Sequence, residues 1–460
     1  MKINNQHASS FRDPSGYIFE EEGVIRRCIF PIYFKQYHSL KDSGFYSKLF
    51  KAGLLIPHKQ LLSNDDIIVI EPEQVPFITF PYEWSFNQYK EAALLTLKLQ
   101  KFCLDHGYSL KDASAFNVVF HKGKAVFIDT LSIDFYEENK PWRAYKQFVT
   151  HFLGPLVLAS YHGTSVITLM SNYMDGIPAE IIASMLPFKT RFNPTLYTNI
   201  HLLAKFESGH SEDYEGNSKT KSLSKQGQLK IIKSLYNYIK GLSLKQDTEW
   251  GDYYNKTNYS DIAFQKKTGI INTFLEGTKA KTIFDVGGNN GLFVRKMELD
   301  FELALVCDID NNAVDDNYKQ MKSNSENNML PFVLDLSNPS PSIGFNNKER
   351  QSFLGRIKAF RPDVTMALAL IHHLSLSNNA TFDMSARFFA TFSKYLIIEF
   401  PKREDSWVQR LLNTKGEFKS HFDFYTLENF EKAYNNYFDI IKKEPISDSE
   451  RIMYFLKAKS

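Results

Sequence analysis

Three aspartates in the second half of the chain each follow an apolar segment. Asp285 precedes the run Gly287–Gly291, which reads Gly-Gly-Asn-Asn-Gly, whereas Asp308 and Asp335 end the next two apolar segments. Glycines in a strand-to-helix turn let a ligand approach the backbone, and the helix N-terminus offers N–H groups to a carboxylate or phosphate. An acid after the second strand is placed to hold a ribose diol. These residues predict a site for a small nucleoside-bearing ligand with an anionic end.

A fourth apolar segment, Val364–Leu370, is followed by Ile371 and then by the pair His372 and His373. The carboxyl end of a parallel strand faces the ligand crevice of a doubly wound sheet, so both histidines are expected beside the site. Either imidazole is a candidate catalytic base for an acceptor's proton, or a group that orients the acceptor. The alternative is that neither histidine takes part in the chemistry.

Asp112, Asn117 and Asp129 form a second candidate constellation. The first two lie in a loop after a long predicted helix, and Asp129 ends a predicted hairpin. In phosphoryl transfer, such a set places a base at the acceptor hydroxyl and holds Mg²⁺ against the phosphates of ATP. The pattern therefore predicts a phosphotransfer site, while a degenerate or structural cluster and a chance match remain open alternatives.

The elements that position these residues follow two different patterns. In the second half, apolar strands alternate with helices or loops, which predicts an α/β fold with a parallel, doubly wound sheet. The expected strands there are Thr282–Val286, Leu303–Cys307, Phe332–Leu334, Val364–Leu370 and Tyr395–Phe400. The first half mixes strands and helices, and its expected strands are Tyr17–Phe19, Val24–Phe30, Ile67–Ile70, Val75–Phe80, Val118–Phe120 and Ala125–Ile128. Its long helix begins at a capping box of Ser85 and Gln88 and ends at Gly107.

A polar stretch from Glu207 to Gln228 separates the two patterns, and Leu229–Leu242 then shows helical spacing. We expect an α+β domain over residues 1–206, a linker and bridging helix over 207–245, and an α/β domain over 246–460. The length of 460 residues and the hydrophobic fraction of 43% exclude a largely disordered chain.

The charge of the chain indicates which partners to expect, and its cysteines indicate the compartment. The net charge is +3, and no long basic block stands out, so no nucleic-acid partner is expected. No apolar signal core or membrane span is visible, and Cys28, Cys103 and Cys307 fit buried thiols of a reducing compartment. We therefore expect a cytoplasmic protein.

The pattern Phe284–Gly287, then Asp308, then Leu334–Leu336 resembles the class I S-adenosylmethionine-dependent methyltransferases, which have a Rossmann-like sheet. The resemblance implies that S-adenosylmethionine is the cofactor and that Asp285 belongs to its site. It also implies that Gly287 and Gly291 line the methionine portion, Asp308 takes the ribose and Asp335 lies by the adenine amino group. Asn289 replaces the family's usual third glycine, which tells against dinucleotide-type phosphate binding. Aromatic residues in Trp250–Tyr254, together with Tyr259 and Phe264, are candidates for a lid over the cofactor or for core packing.

The first domain resembles protein-kinase-like and aminoglycoside-phosphotransferase-like folds in the order and spacing of Asp112, Asn117 and Asp129. It departs from them at Ser109–Lys111, where those folds carry His-x-Asp, and at Thr130 and Leu131, which replace Phe-Gly. The whole chain resembles a bacterial group of long class I methyltransferases, some of which carry nodulation-type labels. The landmarks are Arg12–Gly16, Pro81–Phe86, Ser109–Ser114 and Ile371–Leu374.

These resemblances imply a methyltransferase whose first domain binds or presents an unidentified acceptor, either a small molecule, a glycan or a peptide. A bifunctional protein with an ATP- and Mg²⁺-dependent first domain is one alternative. A non-catalytic protein that senses the cofactor is another. A dehydrogenase fits less well, because Gly287–Gly291 lacks the G-x-G-x-x-G pattern that cradles a pyrophosphate.

Overall fold

The chain divides into two sets of residues that each pack mainly against themselves. The computed structural model describes residues 6–208, 222–244 and 261–459. The first unit comprises residues 1–246 together with Ser342–Gln351, and the second comprises 247–341 and 352–460. The expected bridging helix belongs to the first unit, and so does a ten-residue segment of the second half of the chain.

The first unit contains a four-stranded antiparallel sheet in the order β1-β2-β4-β3, and two further strand pairs, β5-β8 and β6-β7. Its strands are β1 (Gly16–Glu21), β2 (Val24–Ile29), β3 (His58–Ser63), β4 (Ile68–Pro72), β5 (Tyr108–Leu110), β6 (Val118–His121), β7 (Lys124–Phe127) and β8 (Ile133–Phe135). The predicted hairpin that precedes Asp129 is confirmed as β6 and β7, and the predicted strands at Tyr17–Phe19 and Val24–Phe30 form a second hairpin, β1 and β2. The predicted strand Val75–Phe80 is wrong: the segment is a loop. Pro76 has no N–H to give to a strand ladder, and Pro72 and Pro81 stand close on either side.

The α-helices of the described part of the first unit are α1 (Phe34–Asp42), α2 (Phe45–Lys51), α3 (Phe86–Asp105), α4 (Tyr145–Phe148), α5 (Gly154–His162), α6 (Ala179–Met185), α7 (Pro194–Leu196), α8 (Leu202–Ser208) and α9 (Lys225–Gly241). The predicted capping box at α3 is confirmed, because the Ser85 N–H donates to Gln88 Oε1 at 3.0 Å and the Gln88 N–H points back to Ser85 Oγ. Helix α9 packs along α3 through its apolar face, which includes Ile232 and Leu235.

The second unit is a seven-stranded sheet in the order β11-β10-β9-β12-β13-β15-β14. Its strands are β9 (Thr282–Val286), β10 (Leu303–Asp308), β11 (Met329–Val333), β12 (Val364–Ala367), β13 (Tyr395–Pro401), β14 (Phe438–Ile446) and β15 (Arg451–Ala458). The first five strands are parallel, as predicted, whereas the hairpin β14-β15 adds two antiparallel strands that the sequence pattern did not predict. The strand order reverses between β9 and β12, where doubly wound sheets open a ligand crevice.

The helices of the second unit are α10 (Asp261–Leu275), α11 (Leu292–Arg295), α12 (Asn311–Ser323), α13 (Phe353–Phe360), α14 (Phe382–Ala390), α15 (Ser406–Asn413) and α16 (Leu427–Tyr434). Phe284, in the middle of β9, is fully buried against the rings of Phe332 and Phe353. Such apolar packing fixes β9 and therefore the turn that follows it. Across the described residues of both units, no helix has the length and apolar character that crossing a bilayer requires.

Candidate functional site

A cavity of about 460 Å³ opens at the carboxyl ends of the parallel strands of the second unit. Its walls come from the residues that follow β9, β10, β11 and β12, and from one face of α10. Five of the predicted site residues line it: Asp285, Gly287, Asp308, Asp335 and His373. Gly291 and His372 are not on its walls. The cavity is of the size that encloses a nucleoside-bearing small molecule.

Asp285 is an acid at the cavity with no polar partner of its own. Its side chain is 1% exposed, and among the described residues neither carboxylate oxygen has a hydrogen-bond partner. Burial raises the pKa of Asp285 to about 7, although the nearby ammonium of Lys267 opposes that shift. A buried carboxylate without donors is costly, so this position favours a ligand that brings a positive group.

The glycine turn shapes the cavity but supplies few donors to it. Its N–H groups all donate within the protein: Gly287 and Gly288 to the Cys307 carbonyl at 2.9 and 3.0 Å, Asn289 to Asp308 Oδ2 at 2.9 Å, Asn290 to Asn289 Oδ1 at 2.9 Å and Gly291 to the Gly288 carbonyl at 2.8 Å. The helix that follows, α11, has only four residues. The turn itself therefore offers an anion none of its own N–H groups, and the prediction of N–H groups for an anion concerns only the N-terminus of α11.

Two glycines of the turn are required for different reasons. A Cβ at Gly288 would lie 2.6 Å from Asp285 Oδ2 and 2.7 Å from the Val306 side chain, so only glycine leaves room for the buried acid. At Gly291, φ is +75° and a Cβ would lie 2.8 Å from the Asn317 amide. Gly291 thus accommodates protein side chains behind the turn, which explains why it is absent from the cavity wall.

Asp308 and Asp335 both lie on the wall of the cavity. Asp308 accepts the N–H groups of Asn289 and Asp310, both at 2.9 Å, which fixes its carboxylate. Burial raises the pKa of Asp308 to about 6. Asp335 accepts the N–H group of Ser337 at 2.8 Å and the hydroxyl of Ser337 at 2.6 Å. Each carboxylate oxygen that accepts one protein donor keeps a lone pair for a ligand hydroxyl or amino group.

His373 begins a single π-helical segment, His373–Ser377, that forms another wall of the cavity. Burial, and then the charge of Arg451, lowers the pKa of His373, so its imidazole is neutral at pH 7. His372 is 2% exposed, its ring lies 4.2 Å from that of His373, and burial lowers its pKa well below 6.5. Ala369, also on the wall, holds φ at +50°, a conformation that is strained for a residue with a Cβ and that clusters at functional sites.

Helix α10 contributes two wall residues, of which the sequence analysis missed Lys267. Its ammonium lies 2.6 Å from Glu399 and 4.5 Å from the centre of the Phe293 ring, and the side chain is almost fully buried. Glu399 also contacts Arg451 at 3.1 Å, and Arg451 contacts Asp405 at 2.7 Å. Phe264, one turn before Lys267, also lines the cavity. The other lid candidates, Trp250–Tyr254 and Tyr259, lie outside the described residues.

The ion-pair network beside the cavity is balanced without Asp285 and Asp308. Lys267 and Arg451 carry two positive charges, which match the two negative charges of Glu399 and Asp405. The carboxylates of Asp285 and Asp308 are additional, so a ligand with a cationic group near Asp285 offsets negative charge in a low-dielectric site. A zwitterionic nucleoside, with an ammonium for Asp285 and a ribose for Asp308, fits these residues.

The first unit brings together the loop residues Asp112 and Asn117 with Asp129. Burial, and then the negative charge of Asp129, raises the pKa of Asp112, while the Asn117 and Gln147 amides favour its charged form. Asp129 forms an ion pair with Arg27 and accepts the Ser132 hydroxyl. Although burial opposes it, Arg27 keeps the pKa of Asp129 low. The Arg27 guanidinium contacts Asp129 Oδ1, an oxygen that a metal ion would need.

The strand order and cavity of the second unit define a doubly wound α/β unit with a cavity at the point where the strand order reverses, which is where such folds bind ligands. The chain is 31% identical to the nodulation protein NoeA of Rhizobium meliloti (strain 1021), over 97% of this chain and 95% of that protein. It belongs to the family of that protein. A scan of protein-family models gave no match.

Solved structures are similar to less than half of the chain. The magnesium protoporphyrin IX methyltransferase ChlM of Synechocystis PCC 6803, with bound SAH, is 14% identical at a TM-score of 0.32 and covers 45% of this chain and 93% of its own. The N-methyltransferase NodS of Bradyrhizobium japonicum WM9, in complex with S-adenosyl-l-homocysteine, is 10% identical at a TM-score of 0.32 and covers 47% and 94%. Because these TM-scores are low, the description of the second unit rests on its own sheet topology.

Proposed function

We propose that the second unit is an S-adenosylmethionine-dependent methyltransferase. The observation that carries the proposal is one cavity lined by an unpartnered buried acid, Asp285, and by an acid fixed for a ribose, Asp308. The cofactor, when bound, supplies an electrophilic methyl group on a sulfonium. The protein's remaining task is to orient the acceptor and exclude water, which needs few special side chains.

Each wall residue has a role that its surroundings support. Asp285 faces the ammonium of the ligand, Asp308 accepts from the ribose hydroxyls and Asp335 lies by the adenine amino group. Gly287 and Gly288 keep the turn narrow so that the ligand passes close to the backbone. Gly291 supports the turn from behind instead of contacting the ligand.

His373 is our candidate for the general base. Its neutral imidazole lies on the cavity wall and is able to accept a proton from an amine or hydroxyl acceptor. His372, which is buried off the wall, positions the segment without touching the ligand. We expect His373→Ala to lower the rate of methyl transfer by about 100-fold or more while S-adenosylhomocysteine affinity stays unchanged. An unchanged rate with a confirmed acceptor would assign His373 to packing alone.

Calorimetric titration with S-adenosylhomocysteine tests the cofactor site. Asp308→Ala removes the ribose acceptor and the cap on two backbone N–H groups, so we expect affinity to fall by about 100-fold or more. Asp316→Ala is the matched control, because Asp316 is an exposed acid on the neighbouring α12. Wild-type protein that binds no S-adenosylhomocysteine would overturn the proposal.

For the first unit we propose a binding role in place of phosphotransfer. What supports this is that Asp129, the acid such a site needs as a metal ligand, already pairs with Arg27 and accepts the Ser132 hydroxyl. A site for ATP and Mg²⁺ keeps its carboxylates available to the metal. The first unit then binds a ligand, or it binds the methyl acceptor, which is a small molecule, a glycan or a peptide.

A further inference from the structure

The segment Phe188–Phe192 of the first unit, here called the aromatic loop, exposes two phenylalanines to solvent. Phe192 is 78% exposed, which makes it the most exposed large hydrophobic side chain in the described part of the chain, and Phe188 is 69% exposed. Their rings lie 5.7 Å apart, edge to face. Single exposed apolar residues are common on protein surfaces, but two adjacent rings form a patch, which favours an interaction surface.

The aromatic loop is fixed to the fold through its middle residue. Thr190 is 1% exposed, and its hydroxyl donates to the Pro187 carbonyl at 2.6 Å and lies 2.8 Å from His201 Nε2. The Thr190 N–H donates to the same carbonyl at 2.9 Å, and the Asn193 N–H donates to the Thr190 carbonyl at 3.2 Å. The exposure of both phenylalanines is therefore built into the fold. A partner binds a loop that is already ordered, which lowers the entropic cost of binding.

Two cations belong to the aromatic loop. The guanidinium carbon of Arg191 lies 5.3 Å from the centre of the Phe188 ring, and Lys189 Nζ lies 5.6 Å from the centre of the Tyr161 ring on α5. Both cations are exposed, and neither forms an ion pair with a carboxylate of the described residues. The sequence has no Asp or Glu anywhere in residues 181–206. The loop is therefore both apolar and positively charged, with no acid close to it in the sequence.

We propose that the aromatic loop docks the first unit on the surface of a bilayer that contains anionic phospholipids. The two phenyl rings enter the boundary between head groups and acyl chains, while Lys189 and Arg191 contact the lipid phosphates. The rings and the cations act at different depths, because a long cationic side chain keeps its charged end among the head groups when its neighbours are inserted. This binding is peripheral, and it is independent of methyl transfer in the second unit.

The chemistry of the aromatic loop favours a lipid surface over a glycan or a protein. Besides its two cations, its only polar side chain is Thr190, whose hydroxyl is engaged within the fold. The loop thus offers apolar area and positive charge, but no side-chain acceptor for the hydroxyl groups of a glycan. A fluid bilayer needs neither a shaped groove nor directional hydrogen bonds, and its anionic head groups complement the two cations.

Cosedimentation of the full chain with lipid vesicles tests the proposal. We expect binding to phosphatidylcholine vesicles that contain about 30% phosphatidylglycerol, much weaker binding to phosphatidylcholine alone, and weaker binding as the salt concentration rises. The double variant Lys189→Gln with Arg191→Gln should bind anionic vesicles about 30-fold more weakly, because it loses both cations near the surface. The double variant Phe188→Ser with Phe192→Ser should bind them at least about tenfold more weakly, because it loses the inserted apolar area.

Matched control variants separate the aromatic loop from net charge and from exposed rings in general. Lys48→Gln with Lys51→Gln removes the same charge from exposed positions of α2, in the same unit. Phe418→Ser removes a ring that is 67% exposed and that follows an acid, Glu417. Both controls should bind vesicles as the wild type does. Every substituted side chain is exposed, so the melting temperatures of all variants should stay close to that of the wild type.

The proposal is overturned where the wild type binds neither kind of vesicle, binds both equally, or keeps its affinity in either variant of the aromatic loop. A concentration-dependent dimer that is lost in Phe188→Ser with Phe192→Ser, without vesicle binding, would also overturn it and would assign the loop to contact with a second copy of the chain. S-adenosylhomocysteine titration reports on the second unit, so failure of the lipid proposal and failure of the methyltransferase proposal are told apart.

Discussion

Replacing Asp285 by asparagine should move ligand affinity and protein stability in opposite directions. The raised pKa of Asp285, about 7 in place of 3.8, means that the ligand-free protein holds this carboxylate charged at pH 8 against its surroundings. At about 1.4 kcal/mol per pKa unit, the charge costs the fold on the order of 4 kcal/mol at that pH. Asparagine removes the charge but still buries an unpartnered amide, so we expect a net gain of about 1–3 kcal/mol in stability at pH 8.

The same substitution removes the partner of the ligand's ammonium. A hydrogen bond to a charged group contributes about 1.5–3 kcal/mol, so Asp285→Asn should weaken S-adenosylhomocysteine binding by about 10- to 150-fold at pH 8. In the wild type the acid must ionise before it binds a cation. Affinity should therefore be constant above pH 7 and fall by about tenfold per pH unit as the pH drops below 7, where the raised pKa lies.

The sign of the stability effect follows from the same pKa. Between pH 3.8 and 7 the folded protein holds a proton on Asp285 that the unfolded chain has released, so this group makes the fold less stable as pH rises through that window. Calorimetry and thermal unfolding at several pH values measure both effects. A wild-type dissociation constant that is unchanged between pH 8 and 6, or an Asp285→Asn variant that binds normally, refutes the assignment of Asp285 to the ligand ammonium.

Three further outcomes are expected. Glu399→Gln removes the carboxylate that Lys267 and Arg451 share, so it should lower the free energy of unfolding by about 3–5 kcal/mol in thermal or urea unfolding. The control Glu450→Gln removes a carboxylate from an exposed pair and should change that free energy by less than about 1 kcal/mol. Gly288→Ala forces a methyl group against Asp285 and should abolish S-adenosylhomocysteine binding in calorimetry, a result that normal binding would contradict. Titration of the wild type with ATP and Mg²⁺ should give no binding heat; measurable binding that is lost in Asp129→Ala would restore phosphotransfer as a function of the first unit.

The parallel part of the second unit was predictable because each strand is a continuous apolar run buried on both faces. Strand β9 has the predicted bounds, and the others agree within a few residues. The hairpin β14-β15 was not predictable in the same way. Strand β14 is an edge strand whose central residues, including Lys442 and Lys443, are largely exposed, so it carries no apolar run. Its place is set by pairing with β15, which a local pattern does not reveal.

Residues of the candidate site were predictable where they directly follow a strand. They were not predictable where their position depends on a partner far away in the sequence. Asp308 and Asp335 are on the wall because the carboxyl ends of neighbouring parallel strands meet at one edge. Lys267 was missed, since its position depends on Glu399, far along the chain. The only local signal was a lysine one turn after Phe264 on the face of α10 that lines the cavity. The partners of the Gly287, Gly288 and Asn289 N–H groups were not predictable either, because Cys307 and Asp308, on β10, accept them.

The N–H groups of the glycine turn donate within the protein, and this affects which nucleoside the cavity can bind. Binding of a pyrophosphate at a glycine turn depends on free N–H groups and on a helix N-terminus aimed at the phosphates. Here the N–H groups of Gly287–Gly291 are engaged within the protein, and the short α11 follows them. Asp285 lies beneath the turn, so any anion there meets a buried carboxylate that has no hydrogen-bond donor among the described residues. The arrangement disfavours a dinucleotide and favours a nucleoside with a cationic tail, because such a tail offsets the charge of this carboxylate.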